Sequence, residues 1–95
     1  MDSEEKAWQR LDKWLWCARF LRNRAACARL AESGLMRINR QPTNKPHAKL
    51  RVGDILTVPL SSRVRVVRVL ALAERRGPAG TATQLYEEIA EGNGT

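Results

Sequence analysis

Apolar residues recur at helical spacing near the start of the chain. Four of them fall at i, i+3, i+4 and i+7, which places them on one face of a helix: Leu11, Trp14, Leu15 and Ala18. The basic residues around them lie off that stripe, so the pattern predicts a short amphipathic helix. Trp14 is expected in the core, whereas the sequence leaves open whether Trp8 and Trp16 are exposed.

A second helix is expected over residues 24–33. Asn23 precedes it, and an asparagine side chain can accept a hydrogen bond from an unpaired backbone N–H of the first turn. Gly34 follows it, and glycine tolerates the left-handed conformation in which many helices end. The small apolar seam that would let this helix pack closely on the first consists of Ala26, Cys27, Leu30 and Ala31.

The remaining pattern predicts strands followed by a final helix. Strands are expected at residues 35–38, 55–60 and 63–72, with turns at 39–42 and 52–54. The valines of the third strand change phase, which predicts a bulge at Val66-Val67. A terminal helix is expected to reach about residue 90, because helical spacing returns at Ala82, Leu85, Tyr86 and Ile89.

Positive charge is concentrated in the body of the chain. The 95 residues carry a net charge of +7, but residues 10–76 alone hold sixteen Lys and Arg against four Asp and Glu, a net charge of +12 between acidic flanks. Such a basic body suits a polyanionic ligand. The length suits one domain and leaves no room for a separate catalytic domain.

The basic residues of the helix pair are candidates for binding nucleic-acid phosphates, since an arginine can donate two parallel hydrogen bonds to a phosphate. Any one of them alone is equally well explained as a solvated surface charge, but the whole set favours nucleic acid. The candidate RNA-binding residues are Arg10, Lys13, Arg19, Arg22, Arg24 and Arg29, flanked by Lys45 and Lys49. Less weight falls on Arg63, Arg65, Arg68, Arg75 and Arg76, because a half-exposed strand commonly alternates charged and apolar residues.

No pattern typical of a catalytic or metal site is present. Cys17 and Cys27 stand ten residues apart with only His47 as a further ligand, so we expect no zinc, no cofactor and two inward-packed thiols. His47 has no patterned partner for catalysis, and we predict no enzyme activity. The acidic N-terminus and the lack of an apolar run of roughly 20 residues predict a cytoplasmic protein without membrane contact.

Several short motifs are similar to those of a known family. They are RLDKWLW from Arg10, Asn23-Arg24 followed by Cys27, Gly34-x-Met36-x-x-Asn39, and Val52-Gly53-Asp54-x-Leu56. Together they resemble the S4 RNA-binding domain over about residues 10–58. The resemblance implies an α+β fold in which a two-helix pair packs on a small bent antiparallel sheet. The helical spacing near the end of the chain adds an extra C-terminal helix to this expectation. The resemblance also implies RNA on the basic helical face.

Within that class the chain is similar to the bacterial heat-shock protein 15 family. The motifs involved are RLDKWLWCARF, Arg75-Arg76, Pro78-Ala79 and Leu85-Tyr86-Glu87-Glu88. This resemblance implies a stand-alone protein that recognises ribosomal RNA on free large ribosomal subunits, including those stalled with peptidyl-tRNA, in rescue under heat stress. Arg40 stands where the family usually has glycine, so either another type of turn or an added charge is expected there.

The expected organisation is an acidic lead at 1–9, an RNA-binding domain at 10–72, and a loop, helix and frayed tail at 73–95, in a monomer. Three other functions remain open from the sequence. One is a protein adaptor that uses Trp8, Trp16 and the arginine-rich strand, favoured only if nucleic acid does not bind. A helix, a short loop and a second helix also describe a DNA-binding module. The S4 domain also precedes the catalytic domain of pseudouridine synthases, so the chain could be a detached relative of an RNA-modifying enzyme.

Overall fold

The computed structural model describes residues 7–91, without the side chains of the last two. Most of the predicted acidic lead and nearly all of the predicted frayed tail therefore lie outside the described residues. The helices are α1 (Leu11–Cys17), α2 (Arg24–Glu32) and α3 (Ala79–Ala82). The strands are β1 (Gln9–Arg10), β2 (Met36–Ile38), β3 (Gln41–Thr43), β4 (Lys49–Leu50), β5 (Ile55–Pro59), β6 (Val64–Val69) and β7 (Tyr86–Glu91).

The two predicted helices are confirmed. All four residues of the α1 stripe are buried, and Trp14 is fully enclosed in the core. The Asn23 side chain accepts a hydrogen bond from the backbone N–H of Ala26 at 2.8 Å, so it caps α2 as expected. Gly34 follows α2 with a φ of 83°, in the left-handed region.

The fold is α+β, as expected, and its main sheet is antiparallel with the strand order β3-β2-β5-β6-β7. One face of this sheet packs against the helix pair and supplies much of the core, through Met36, Leu56, Val58, Val67 and Val69. A separate two-stranded sheet joins β1 to β4, with Arg10 opposite Lys49. The sequence pattern did not predict β1, β3 or β4, because strands of two or three residues show too little alternation.

The irregularity predicted in the third strand is present. The pairing of β6 with β7 shifts register between Val66 and Val67: Val66 lies opposite Ala90 and Val67 opposite Glu88. Ile89 is therefore the extra residue, and it lies on β7. The bulge was expected from the valine phase in β6, but the additional residue belongs to its neighbour.

The predicted C-terminal helix is wrong. Only Ala79–Ala82 is helical, and Tyr86–Glu91 forms an edge strand of the main sheet. The expected apolar residues Ala82 and Leu85 are buried, but they belong to different local structures. Pairing with β6 outweighs the helical spacing, because it satisfies backbone hydrogen bonds and brings acidic side chains of β7 beside arginines of β6.

The turn expected at residues 39–42 is shorter than predicted. Asn39 and Arg40 alone connect β2 to β3, and both have positive φ angles, 52° and 73°. Positive φ at both central residues is what a two-residue type I′ hairpin turn requires. Arg40 therefore keeps the kind of turn that a glycine would favour and also adds a charge.

Candidate nucleic-acid interface

A buried carboxylate organises the basic residues at the start of the helix pair. Asp12 is only 4% exposed, in the first turn of α1. It accepts hydrogen bonds from Nε and Nη2 of Arg10, each at 3.1 Å, and lies 3.5 Å from Nη2 of Arg24. The hydrogen bond and charge of Asp12 raise the pKa of Arg10. Because a buried carboxylate is costly unless it is paired, these contacts hold two guanidinium groups from separate elements side by side.

Two lysines extend this group. Lys49 lies opposite Arg10 in the β1–β4 pair. A backbone hydrogen bond from the N–H of Leu11 to Ala48 O, at 2.9 Å, connects the start of α1 to the same segment. Lys13 lines a surface cavity together with Arg10. We call Arg10, Lys13, Arg24 and Lys49 the cationic cluster.

Arg76 joins this region from a distant part of the chain. Its Nε donates to Trp16 O at 3.0 Å, and its guanidinium lies 5.5 Å from the centre of the Trp16 ring. Burial raises the pKa of the Cys17 thiol, and the positive charge of Arg76 opposes that rise, as do the charges of Lys13 and Arg24. Arg76 was not among the candidate RNA-binding residues, because nothing in the local sequence pattern connects it to α1. The Arg75-Arg76 motif was the one available signal.

The other four candidate RNA-binding residues do not belong to the cationic cluster. Arg19, with a φ of 63°, donates from Nε to Gly77 O at 2.9 Å at the far end of α1. Arg29 lies five residues after Arg24 on α2 and so points about 140° away around the helix axis. Arg22 and Lys45 are exposed and, among the described residues, form no ion pair.

The arginines of β6 form ion pairs with glutamates of the neighbouring strand, β7. Arg65 makes a two-pronged ion pair with Glu88, with distances of 2.6 and 3.1 Å, and Arg68 pairs with Glu87. Both acidic residues lie in the segment for which the sequence predicted the C-terminal helix. These pairs connect β6 to β7, and neither arginine belongs to the cationic cluster.

The cysteines are unreactive groups of the core. Cys17 and Cys27 are free and buried, and burial raises the pKa of both thiols, that of Cys27 to about 11. Within residues 7–91 no group of three or more His, Cys, Asp or Glu is arranged to hold a metal ion. No helix in the same range has the length and hydropathy needed to cross a bilayer.

The fold and the basic helix pair correspond to a known class. The family model of the S4 domain matches residues 9–56, which include both helices, the Asp12 site and the first strands of the main sheet. The chain belongs to the S4-domain family.

Individual relatives show more narrowly where the chain belongs within the S4-domain family. Heat shock protein 15 of Escherichia coli K12 is 43% identical over 82 residues, which are 86% of this chain and 61% of that protein. The homolog from Aeromonas salmonicida is 40% identical over 79 residues, 83% of this chain and 59% of the relative. The chain thus spans about three fifths of the length of these relatives.

A solved structure agrees with the sequence matches. Heat shock protein 15 of Vibrio cholerae, described as trimeric, is 32% identical and superposes with a TM-score of 0.82, covering 88% of this chain and 84% of that one. Within the S4 class the chain is therefore a member of the heat shock protein 15 family.

Proposed function

We propose that this chain is a non-catalytic protein that binds structured RNA through the cationic cluster. The observation that carries the proposal is the Asp12 site, where one buried carboxylate orients Arg10 and Arg24 next to each other. Each guanidinium keeps N–H donors that Asp12 does not use, and these can bind phosphate oxygens. Membership of the S4-domain family supports RNA as the polyanion.

The finer proposal is that the RNA is ribosomal. We infer that the chain acts on the large ribosomal subunit, including subunits that carry peptidyl-tRNA, in rescue or recycling under heat stress, and that it does so as a cytoplasmic monomer. The similarity to heat shock protein 15 over most of this chain supports the ribosomal part of this proposal, whereas the monomer rests on the sequence expectation alone. Arg19, Arg22, Arg29 and Lys45 would contact the RNA around the cluster rather than within it.

A matched pair of charge variants tests the site. Arg24→Gln removes one cation of the cluster, while Asp12 keeps its two hydrogen bonds to Arg10. Arg68→Gln removes one positive charge from the face of the sheet opposite the helix pair. A charged hydrogen bond to phosphate contributes about 1.5–3 kcal/mol, so we expect Arg24→Gln to weaken binding to a ribosomal RNA fragment about tenfold or more. Arg68→Gln should bind within about twofold of the wild type. Equal losses in the two variants would contradict the assignment of the site.

Competition then identifies the class of nucleic acid. Duplex DNA and structured RNA of equal length are offered to the wild-type chain at the same salt concentration, since affinities measured at different salt cannot be compared. We expect RNA to displace DNA. Preferential binding of DNA would replace the proposal with a DNA-binding function.

A further inference from the structure

An open cavity of about 500 Å³ lies beside the cationic cluster. It is formed between the segment that leads into β1 and the segment that follows β6, and its volume is in the range of small-molecule sites. Its lining includes an aromatic ring, two cations and a carboxylate among apolar side chains; the residues that the proposal uses are Trp8, Arg10, Lys13 and Glu74. We propose that this cavity binds a single unpaired RNA nucleotide, with its base stacked on Trp8. The proposal rests on the RNA-binding function above and adds the type of nucleotide that the site takes.

The frame of the cavity is held in place before any ligand arrives. The Gln9 side-chain amide exchanges two hydrogen bonds with the backbone of Ala73, donating to its carbonyl and accepting from its N–H at 3.2 Å. Trp14 Nε1 donates to Ala71 O at 2.9 Å, and Cys17 Sγ contacts Ala73 O at 3.7 Å. These bonds fasten the wall after β6 to both β1 and α1. A preformed wall lowers the entropy cost of binding.

Trp8 has the properties of a stacking platform. Its large apolar side chain is 47% exposed, although Trp14 of the same chain is fully buried. The Lys49 ammonium lies 4.8 Å from the centre of the Trp8 ring. Lys49 does not line the cavity and Trp8 does, so part of the indole remains available on the cavity side. Stacking on an aromatic ring is the sequence-tolerant way in which proteins bind unpaired bases.

The charges of the lining set the orientation of the nucleotide. Arg10 uses Nε and Nη2 on Asp12, which leaves three of its five N–H donors for a phosphate, and Lys13 supplies a second cation. Glu74 repels phosphate but can accept hydrogen bonds from the N–H groups of a base. The phosphate therefore lies toward Arg10 and Lys13, and the base lies toward Trp8 and Glu74. A base inside a duplex cannot reach this position, because its faces are covered by its neighbours.

The test compares two RNAs with the same number of phosphates, a blunt duplex and a duplex with a single-stranded extension. Trp8→Ala should bind the extended RNA about 5- to 150-fold more weakly, the equivalent of the 1–3 kcal/mol per stacked base, and should bind the blunt duplex like the wild type. Trp8→Phe should retain most of the affinity. Val52→Ala is the matched control, since Val52 is an exposed apolar residue that does not line the cavity.

Two further readouts separate stacking from a general loss of binding. The slope of log K against log salt should be the same for Trp8→Ala and the wild type, because an indole releases no counterions. The extended RNA should quench the tryptophan fluorescence of the wild type but not that of Trp8→Phe, in which Trp14 and Trp16 remain.

Equal affinities of Trp8→Ala and the wild type for the extended RNA would overturn the assignment of the cavity, and so would equal losses on both RNAs. If the wild-type chain binds neither RNA, the proposed function itself fails. The cavity would then be free for another occupant, such as an aromatic side chain of a protein partner.

Discussion

At the scale of single residues, the turn between β2 and β3 combines a well-suited residue with a strained one. The Asn39 side chain donates to Asp54 Oδ1 and accepts from the Ile55 N–H, each at 2.9 Å. These bonds compensate for its positive φ, which asparagine tolerates better than most residues. Arg40 has a φ of 73°, and its side chain makes no comparable bond within residues 7–91. The left-handed conformation costs a non-glycine residue roughly 1–2 kcal/mol.

Arg40→Gly should therefore stabilise the protein. Part of the relief is offset, because glycine has more conformational freedom to lose on folding. We expect a net gain of about 0.5–1 kcal/mol in the free energy of unfolding, measured by urea denaturation at neutral pH. Asn39→Gly is the contrasting variant, since it relieves the same kind of strain but removes two hydrogen bonds. It should not stabilise, and a similar gain in both variants would show that strain at Arg40 is not the cause.

At the scale of the elements, local signals predicted α1 and α2 well and could not predict β7. The cap at Asn23 and the stop at Gly34 each act on residues close to them in the sequence, so sequence alone places α2 to within one residue. Residues 86–91 form a strand because β6, about twenty residues earlier, offers an open edge. The ambiguous spacing of Leu85 and Ile89 carries no information about that edge. For the same reason the sequence indicated the bulge but not the strand that holds the extra residue.

The ion pair between Glu88 and Arg65 should contribute to the docking of β7. A hydrogen bond from Arg65 lowers the pKa of Glu88 from its usual value, assisted by the charges of Arg65 and Arg63 and opposed by burial. A carboxyl whose pKa is lower in the folded protein adds stability above its unfolded pKa and loses it as pH falls through the folded pKa. Glu88→Gln should thus be less stable than the wild type at pH 7, by about 0.5–1 kcal/mol.

The pH dependence is the decisive part of that measurement. The difference in unfolding free energy between Glu88→Gln and the wild type should shrink below about pH 4.5, once the unfolded carboxyl is protonated. Glu87→Gln is the control, because the Glu87–Arg68 pair is nearly half exposed on both sides and such pairs contribute little. A difference at Glu88 that stays constant with pH would point to packing instead of charge.

At the scale of the whole molecule, the sequence predicted the basic body but not the way in which it is arranged. The net charge of residues 10–76 and the helical spacing were enough to indicate a cationic surface on the helix pair. Charge and spacing could not predict that Arg24 lies beside Arg10 at Asp12, whereas Arg29 lies on another side of the same helix. Nor could they place Arg76 or Trp8, because both positions depend on the segment after β6, whose path is set by bonds to α1 and β1.

The clustering predicts how RNA affinity depends on salt. If about five phosphates are neutralised, log K should fall with log salt at a slope of roughly −4 to −5, since each neutralised phosphate releases counterions. Arg24→Gln should reduce the slope by about one, because it removes a phosphate contact. Arg68→Gln should leave the slope unchanged even though it changes the net charge by the same amount. If both variants flatten the slope equally, the affinity depends on total charge and the arrangement around Asp12 has no special role. A wild-type affinity that does not respond to salt would exclude phosphate contacts as the basis of binding.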